Sequence, residues 1–245
     1  MAKDNFSKQA AEYAGYRPTY PHEMIEFLIN NTNEHRHALD CATGNGQVAV
    51  KLADHFKNVS ATDISERQLQ NAILKNNITY SLQSSEQTNF ADNYFDLITV
   101  GQAAHWFELP KFYKEVNRIL KPGGVLALFG YGLFKTEPAL EKIVSHFYSK
   151  TLDGYWDPER KFVDEAYRSF EFPYVKFDNN GFSSYYEWTI EQVLGFLSTW
   201  SAVQHYKNRN GEDPILLLNK PLREAWGNES IKRISFPIFI IAGRK

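Results

Sequence analysis

The sequence predicts an α/β fold, a doubly wound, mostly parallel sheet with helices on both faces. Three observations predict it. From Tyr20 to Phe129, short apolar segments alternate with amphipathic ones, the rhythm of parallel strands joined by crossover helices. Gly44 and Gly46 fall between the first strand and the helix after it, where such folds turn toward a ligand. The run FDLITV, Phe95 to Val100, is continuously apolar, as a central strand covered on both faces requires.

In chain order, Tyr20 to Asn31 carries apolar residues at helical spacing, with Pro21 near the first turn. His37 to Cys41 reads as a strand carrying Asp40 near its end, Gln47 to Phe56 as a helix, and Val59 to Asp63 as a second strand ending in an acid. Ser65 to Lys75 reads as a helix capped by Ser65, with Gln68 at capping-box spacing. Ile78 to Leu82 and Phe95 to Val100 are the third and fourth strands. Leu109 to Leu120 is an amphipathic helix stopped by Lys121-Pro122-Gly123-Gly124, ahead of the strand Val125 to Phe129. Past Gly130 the rhythm changes. Helices are expected around Glu137 to Tyr148 and Thr189 to Tyr206, flanking the aromatic stretch FEFPYVKFDNNGFSSYYEW, which reads as an insertion or lid. Ile234 to Ala242 reads as the final strand, with Pro237 best suited to an edge.

A net charge of -2 and a pI near 6.4, without a long Lys/Arg run, argue against nucleic acid or an anionic membrane as the main partner and favour a small molecule. The single cysteine, Cys41, excludes an intrachain disulfide framework and a thiolate zinc site. With no apolar leader and no membrane-length apolar run, a cytoplasmic protein is expected. The Asn-x-Ser/Thr triplets at Asn58, Asn77 and Asn228 then read as chance matches. The histidines are scattered, and His35-x-His37 has no carboxylate or cysteine companions at ligand spacing, so no metal is expected. Aromatic residues, 15% of the chain, suit either an aromatic core or an apolar pocket.

The turn LDCATGNGQVAV, Leu39 to Val50, admits two guests. As GxGxxA (Gly44, Gly46, Ala49) it fits a dinucleotide. As a turn headed by Asp40 it favours a ligand bearing positive charge, since a pyrophosphate there would approach a carboxylate. In both readings the helix beginning near Gln47 offers free N–H groups, and Asp63 sits where an acid accepts from ribose hydroxyls.

LDCATGNGQ, ATDIS, DNYFDLITVGQAAHWF and RILKPGGVLALFG, in that order, resemble the class I S-adenosylmethionine-dependent methyltransferases. The chain is similar to the small-molecule branch of the ubiquinone-biosynthesis type (methyltransferase type 11). More narrowly, it looks like trans-aconitate methyltransferase-like proteins through AAEYAGYRPTYP, ATGNGQVA, GQAAHWF, STWSA, AWG and the closing FPIFIIAGR. The resemblance implies a Rossmann-like seven-stranded sheet with the last strand antiparallel and a helical, aromatic lid after the fifth strand. It also implies S-adenosyl-L-methionine as methyl donor and S-adenosyl-L-homocysteine as product. A single domain, 1–245, would comprise a cofactor-covering segment (1–34), a cofactor-binding core (35–132), a lid and substrate region (133–230) and the final strand (231–245).

Carried onto matching positions, the resemblance sets Asp40, Thr43, Gly44 and Gly46 around the methionine part of the cofactor, Asp63 on its ribose and Ile64 against its adenine. Ala42 stands where the family's first motif glycine is, and Ser84 stands in the slot of a common adenine-binding acid, leaving Ser85, Glu86 and local backbone to share that contact. Gln102 would border the reacting methyl. His105 is a candidate general base or substrate-orienting group, with a hydrogen-bonded structural histidine as the other reading. Trp106 either covers the sulfonium or plugs the core. Tyr13, Tyr16, Arg17 and Tyr20 would fold across the cofactor, Arg17 pairing with its carboxylate or with an acidic substrate. Trp188, Trp200 and Trp226 read as packing.

No GxSxG elbow and no GxxxxGK[ST] loop occurs, which argues against an α/β-hydrolase and a nucleoside triphosphatase. A missing Asn/Asp-Pro-Pro-Tyr/Phe motif weakens nucleic-acid amino methylation. The expected activity is methyl transfer to a small molecule, with O-methylation of a carboxylic acid as one form. An NAD-dependent oxidoreductase and a non-catalytic cofactor-binding protein of the same fold stay as alternatives.

Overall fold

The computed structural model describes residues 16–179 and 181–245; Tyr13 of the N-terminal cluster lies outside them. α1 (His22–Asn30) buries Met24, Ile25, Leu28 and Ile29 on one face. β1 (His37–Cys41), α2 (Gln47–Leu52), β2 (Asn58–Asp63), α3 (Glu66–Gln70), β3 (Ile78–Leu82) and β4 (Phe95–Gly101) then alternate. A 3₁₀ turn at Ala104–Trp106 leads to α4 (Leu109–Ile119) and β5 (Leu120–Tyr131). The remainder comprises α5 (Pro138–His146), α6 (Arg160–Asp164), β6 (Val175–Lys176), β7 (Phe182–Trp188), α7 (Ile190–Ser198), α8 (Ser201–Asn210), α9 (Ile215–Trp226) and β8 (Lys232–Arg244).

The strands form one sheet in the order β3-β2-β1-β4-β5-β8-β6, with β7 also paired to β8. β1 to β5 are mutually parallel, and β8 runs antiparallel to β5, β6 and β7. From β1 the chain steps outward to β3, then returns to β4 on the other side of β1. That reversal opens a crevice at the carboxyl ends of β1 and β4, where open α/β sheets bind ligands. Because side chains alternate across a strand, Leu97, Val125 and Ala127 enter one core while Ile98, Leu126 and Leu128 enter another on the opposite face.

This is the mostly parallel α/β sheet expected from the sequence, with several local corrections. The helix expected over 65–75 stops at Gln70: the Ser65 hydroxyl caps it by accepting from the Gln68 N–H, but Ile73 leaves the helical path to donate its N–H to the Asn45 carbonyl. Lys121 to Gly124 form a bulge within β5, where the register jumps from Phe95 opposite Leu120 to Leu97 opposite Val125. The aromatic stretch read as a lid supplies β6 and β7, which is why the sheet has eight strands. β8 is consequently interior, and Pro237 is no edge residue. It falls between the last β5 pair, Tyr131 with Ile238, and the bridge of Ser235 to Lys135, where no ladder N–H is needed on that side. Thr189 to Tyr206 is two helices, broken where Trp200 turns extended (φ -67°, ψ 136°). α9, with Pro221 inside it, was not expected. Trp188, Trp200 and Trp226 are buried in packing, as expected. No helix among the described residues is long and apolar enough to cross a membrane.

Candidate active site

The crevice is a cleft of about 200 Å³ at the ends of β1, β2 and β4. Its floor is the glycine turn. Ala42, Gly44 and Gly46 have φ of 54°, 58° and 88°, so three residues in five hold the left-handed conformation and the chain reverses into α2. Thr43 and Gly44 line the cleft, and so does Ala42, whose methyl is accommodated there. Two expected contacts do not. Gly46 faces away from the cleft toward β3, where the Tyr80 hydroxyl occupies the space of a side chain: a Cβ on Gly46 would lie 2.2 Å from it.

Asp40 is the second correction. It is 1% exposed and sits beneath the turn, not in the cleft wall. Its carboxylate accepts from the Thr43 hydroxyl, from the Ala49 N–H (3.1 Å) and from the Thr99 hydroxyl (2.9 Å), tying the turn, the start of α2 and β4 to one point. Burial pushes this carboxyl up to about 6, against the pull of those three hydrogen bonds, and the nearby Asp63 charge adds to the rise. No cation among the described residues pairs with it. A positive ligand in the cleft above would compensate the charge, which suits a sulfonium and an ammonium and disfavours a pyrophosphate.

The raised value has a measurable consequence. The native state holds this proton more tightly than the unfolded chain, so the contribution to stability is full below the unfolded value of 3.8 and is lost as pH rises through about 6. Asp40→Asn keeps an acceptor for Thr43 and Ala49 while removing the titration. Urea unfolding from pH 4 to 7 is expected to show the wild type losing about 2 kcal/mol relative to the variant. Parallel pH profiles would remove Asp40 as the group responsible.

Asp63 lines the cleft at the end of β2. Its Oδ2 accepts from the Gly44 N–H (2.8 Å) and its Oδ1 from the Ser65 N–H (2.9 Å), so it ties the turn to the head of α3. A carboxylate in this place suits a ribose diol. Ile64, exposed beside it, gives an apolar surface on the same wall as the buried Ser85 and as Glu86. Ser84 does not line the cleft; its hydroxyl donates to Glu86 Oε2, while the Glu108 N–H donates to Oε1 (3.2 Å). Burial alone would raise the Glu86 carboxyl, yet hydrogen bonds from Ser84, Ser85 and Glu108 outweigh it and hold Glu86 below the usual carboxylate range. Gln68 and Gln83 complete this wall and were missed, since nothing in their local sequence distinguishes them from surface glutamines.

At the other end of the cleft stand Arg17, Tyr20, Gln102, Trp106 and Tyr131. Gln102 was a catalytic candidate, but its amide is committed. It accepts from the Tyr131 N–H (2.8 Å) and donates to the Tyr131 carbonyl (3.1 Å), continuing the β4–β5 pairing with a side chain while its own backbone is left-handed (φ 53°). His105 is corrected too. It is 8% exposed, points away from the cleft, and shares a hydrogen bond between Nδ1 and the Tyr167 hydroxyl (2.9 Å) in the opposite core. Burial first, then the charges of Arg160 and Arg17, drives its pKa down to about 3, so the ring is neutral and a weak base. That placement favours the structural reading of His105 over a base. Trp106 forms cleft wall. Tyr131, the last residue of β5, was missed because the strand seemed to end at Phe129. The hydroxyls of Tyr20 and Tyr131 make no hydrogen bond among the described residues, although both rings line the cleft.

A carboxylate lining the cleft at one strand end, and a second beneath the neighbouring turn with no cation paired to it among the described residues, suit a Rossmann-like enzyme that takes a cationic ligand. Comparison with known proteins agrees. The methyltransferase domain family matches residues 39–128. A Dictyostelium discoideum protein described as a methyltransferase is 32% identical over 99% of this chain and 95% of its own. A solved structure described as a type II methyltransferase, from Anaeromyxobacter dehalogenans, shares 35% identity and a TM-score of 0.87, covering 94% of this chain and 98% of that one. A ubiquinone/menaquinone biosynthesis C-methyltransferase of Rickettsia felis is 32% identical over 52% of this chain and 56% of its own. The chain belongs to the S-adenosylmethionine-dependent methyltransferases, and S-adenosylmethionine is its cofactor. The oxidoreductase and non-catalytic alternatives fall with that membership.

Proposed function

We propose that the enzyme methylates a carboxylate oxygen of a small acid, in keeping with the trans-aconitate methyltransferase-like motifs of the sequence. The observation that carries this reading is the make-up of the reacting end of the cleft. It offers a cation, Arg17, and two hydroxyls, those of Tyr20 and Tyr131, but no side chain among the described residues able to take a proton at neutral pH. Bound S-adenosylmethionine supplies a methyl group already activated for in-line displacement. A carboxylate acceptor is ionised at neutral pH and loses no proton on methylation, so it needs no base; a phenol or carbon acid does. Arg17 pairs with the acid, Tyr20 and Tyr131 orient it, and Trp106 keeps water from the reacting atoms. A cleft this size under a chain of mild negative charge suits a small molecule rather than nucleic acid.

The test is a labelled-methyl transfer screen over small acids, phenols and quinones. Acids are expected to accept methyl, with a rate flat from about pH 6 to 9 and with kcat within about threefold of wild type in His105→Asn. Transfer confined to phenols or quinones, with a loss of about 100-fold or more in that variant, would overturn the reading.

A further inference from the structure

We propose that Arg160, from the segment between β5 and β6, is a specificity residue that reads an anionic group of the substrate away from the carboxylate that is methylated. The inference rests on the acid reading above. Arg160 opens α6, which packs on the 3₁₀ turn carrying Trp106, so its charge arrives behind the reacting end of the cleft.

The side chain is held from one edge only. Its guanidinium lies over the rings of Trp156 (4.9 Å) and Tyr148 (5.4 Å). Nε donates to the Tyr148 hydroxyl (3.0 Å) and to Asp164 Oδ1 (3.2 Å), while the Tyr148 hydroxyl bonds to the same Asp164 carboxylate. The two terminal amino groups donate to nothing among the described residues, although the side chain is only 18% exposed. A planar fork of four N–H groups, fixed by its stem and stacking, is the geometry that takes a carboxylate in two parallel hydrogen bonds.

The Arg160 charge is also felt at the cleft wall. It bears on Arg17 and Tyr131, which line the cleft, and on His105 and Tyr167 in the core behind it, four groups from four separate parts of the chain. Arg160 and Arg17 carry like charges that both favour an anionic substrate. Asp164 does not cancel the arrangement, since it meets Nε and leaves the fork open. One cation for the reacting carboxylate and a second, rigidly held, for another anionic group would select diacids over monoacids.

The test is calorimetry in saturating S-adenosylhomocysteine with succinate, glutarate and adipate, each against its monoamide, on wild type, Arg160→Gln and Arg160→Lys. At least one diacid is expected to bind wild type about tenfold or more tighter than its monoamide. Arg160→Gln is expected to abolish that preference without changing S-adenosylhomocysteine affinity, and Arg160→Lys to restore part of it. A preference that survives Arg160→Gln, or one missing from wild type for all three pairs, overturns the proposal. Binding does not require transfer, so a preserved preference with no methylated acid would sink the acid-methylation reading and leave the anion site standing.

Discussion

Asp63→Ala is expected to weaken binding of S-adenosylmethionine and S-adenosylhomocysteine by about 100-fold or more, because it removes two contributions at once. A ribose diol would donate to the carboxylate, and hydrogen bonds to a charged acceptor contribute about 1.5–3 kcal/mol each. It also holds the Gly44 and Ser65 N–H groups, so one side chain ties the glycine turn to the head of α3. Alanine therefore loosens the floor of the cleft as well as the ribose contact. Folding stability is expected to fall by about 1–3 kcal/mol, since two backbone donors lose their acceptor. Asp63→Asn separates the effects: it keeps one acceptor oxygen and the shape of the side chain, and should bind better than alanine yet worse than wild type. Calorimetry alongside urea unfolding reads both quantities. Unaltered cofactor affinity in Asp63→Ala would remove Asp63 from the ribose site.

What could be read in the sequence was what depends on neighbours along the chain. The glycine turn, the apolar β4 and the acid ending β2 are local patterns, and each took the place expected of it. The direction of a side chain was not legible, because it is set by partners far away in sequence. Asp40 looks like a ligand contact until Thr99, 59 residues on, draws its carboxylate under the turn. Gln102 looks available until the backbone of Tyr131, 29 residues on, takes both ends of its amide. His105 looks like a base until Tyr167, 62 residues on, turns it into the opposite core. Asp40 and Gln102 stand at strand ends and His105 in the 3₁₀ turn after β4, the composition of a catalytic group, yet each is committed to a structural hydrogen bond. The aromatic segment after Gly130 was opaque for a related reason. Its rings serve both as β7 and as core, with Phe236 of β8 touching Tyr131, Phe134, Tyr186, Trp188 and Phe196, so no single periodicity marks it.

Gly46→Ala is expected to destabilise the fold by about 2–5 kcal/mol, through two separable causes. At φ 88° a Cβ is strained wherever it points, at about 1–2 kcal/mol. Here it also points at Tyr80, 2.2 Å from the hydroxyl oxygen and 3.0 Å from the ring carbon that bears it. Tyr80 cannot simply swing aside. Its hydroxyl donates to the Ile73 carbonyl (2.7 Å), and the Ile73 N–H donates to the Asn45 carbonyl (3.0 Å), so the ring is anchored to the segment that is itself bonded to the turn. Displacing it would pull on the cleft floor, and cofactor affinity should fall together with stability. Tyr80→Phe removes the closest atom and the anchoring hydrogen bond, leaving the backbone strain and a tight 3.0 Å contact. In a double-mutant cycle, Gly46→Ala should therefore cost about 1 kcal/mol less in the Tyr80→Phe background than in the wild type. Strict additivity would mean that the strain at φ 88° is the whole cost and that Tyr80 yields freely. A Gly46→Ala protein as stable as wild type would mean that neither cause operates, and that the turn does not need glycine at its last position.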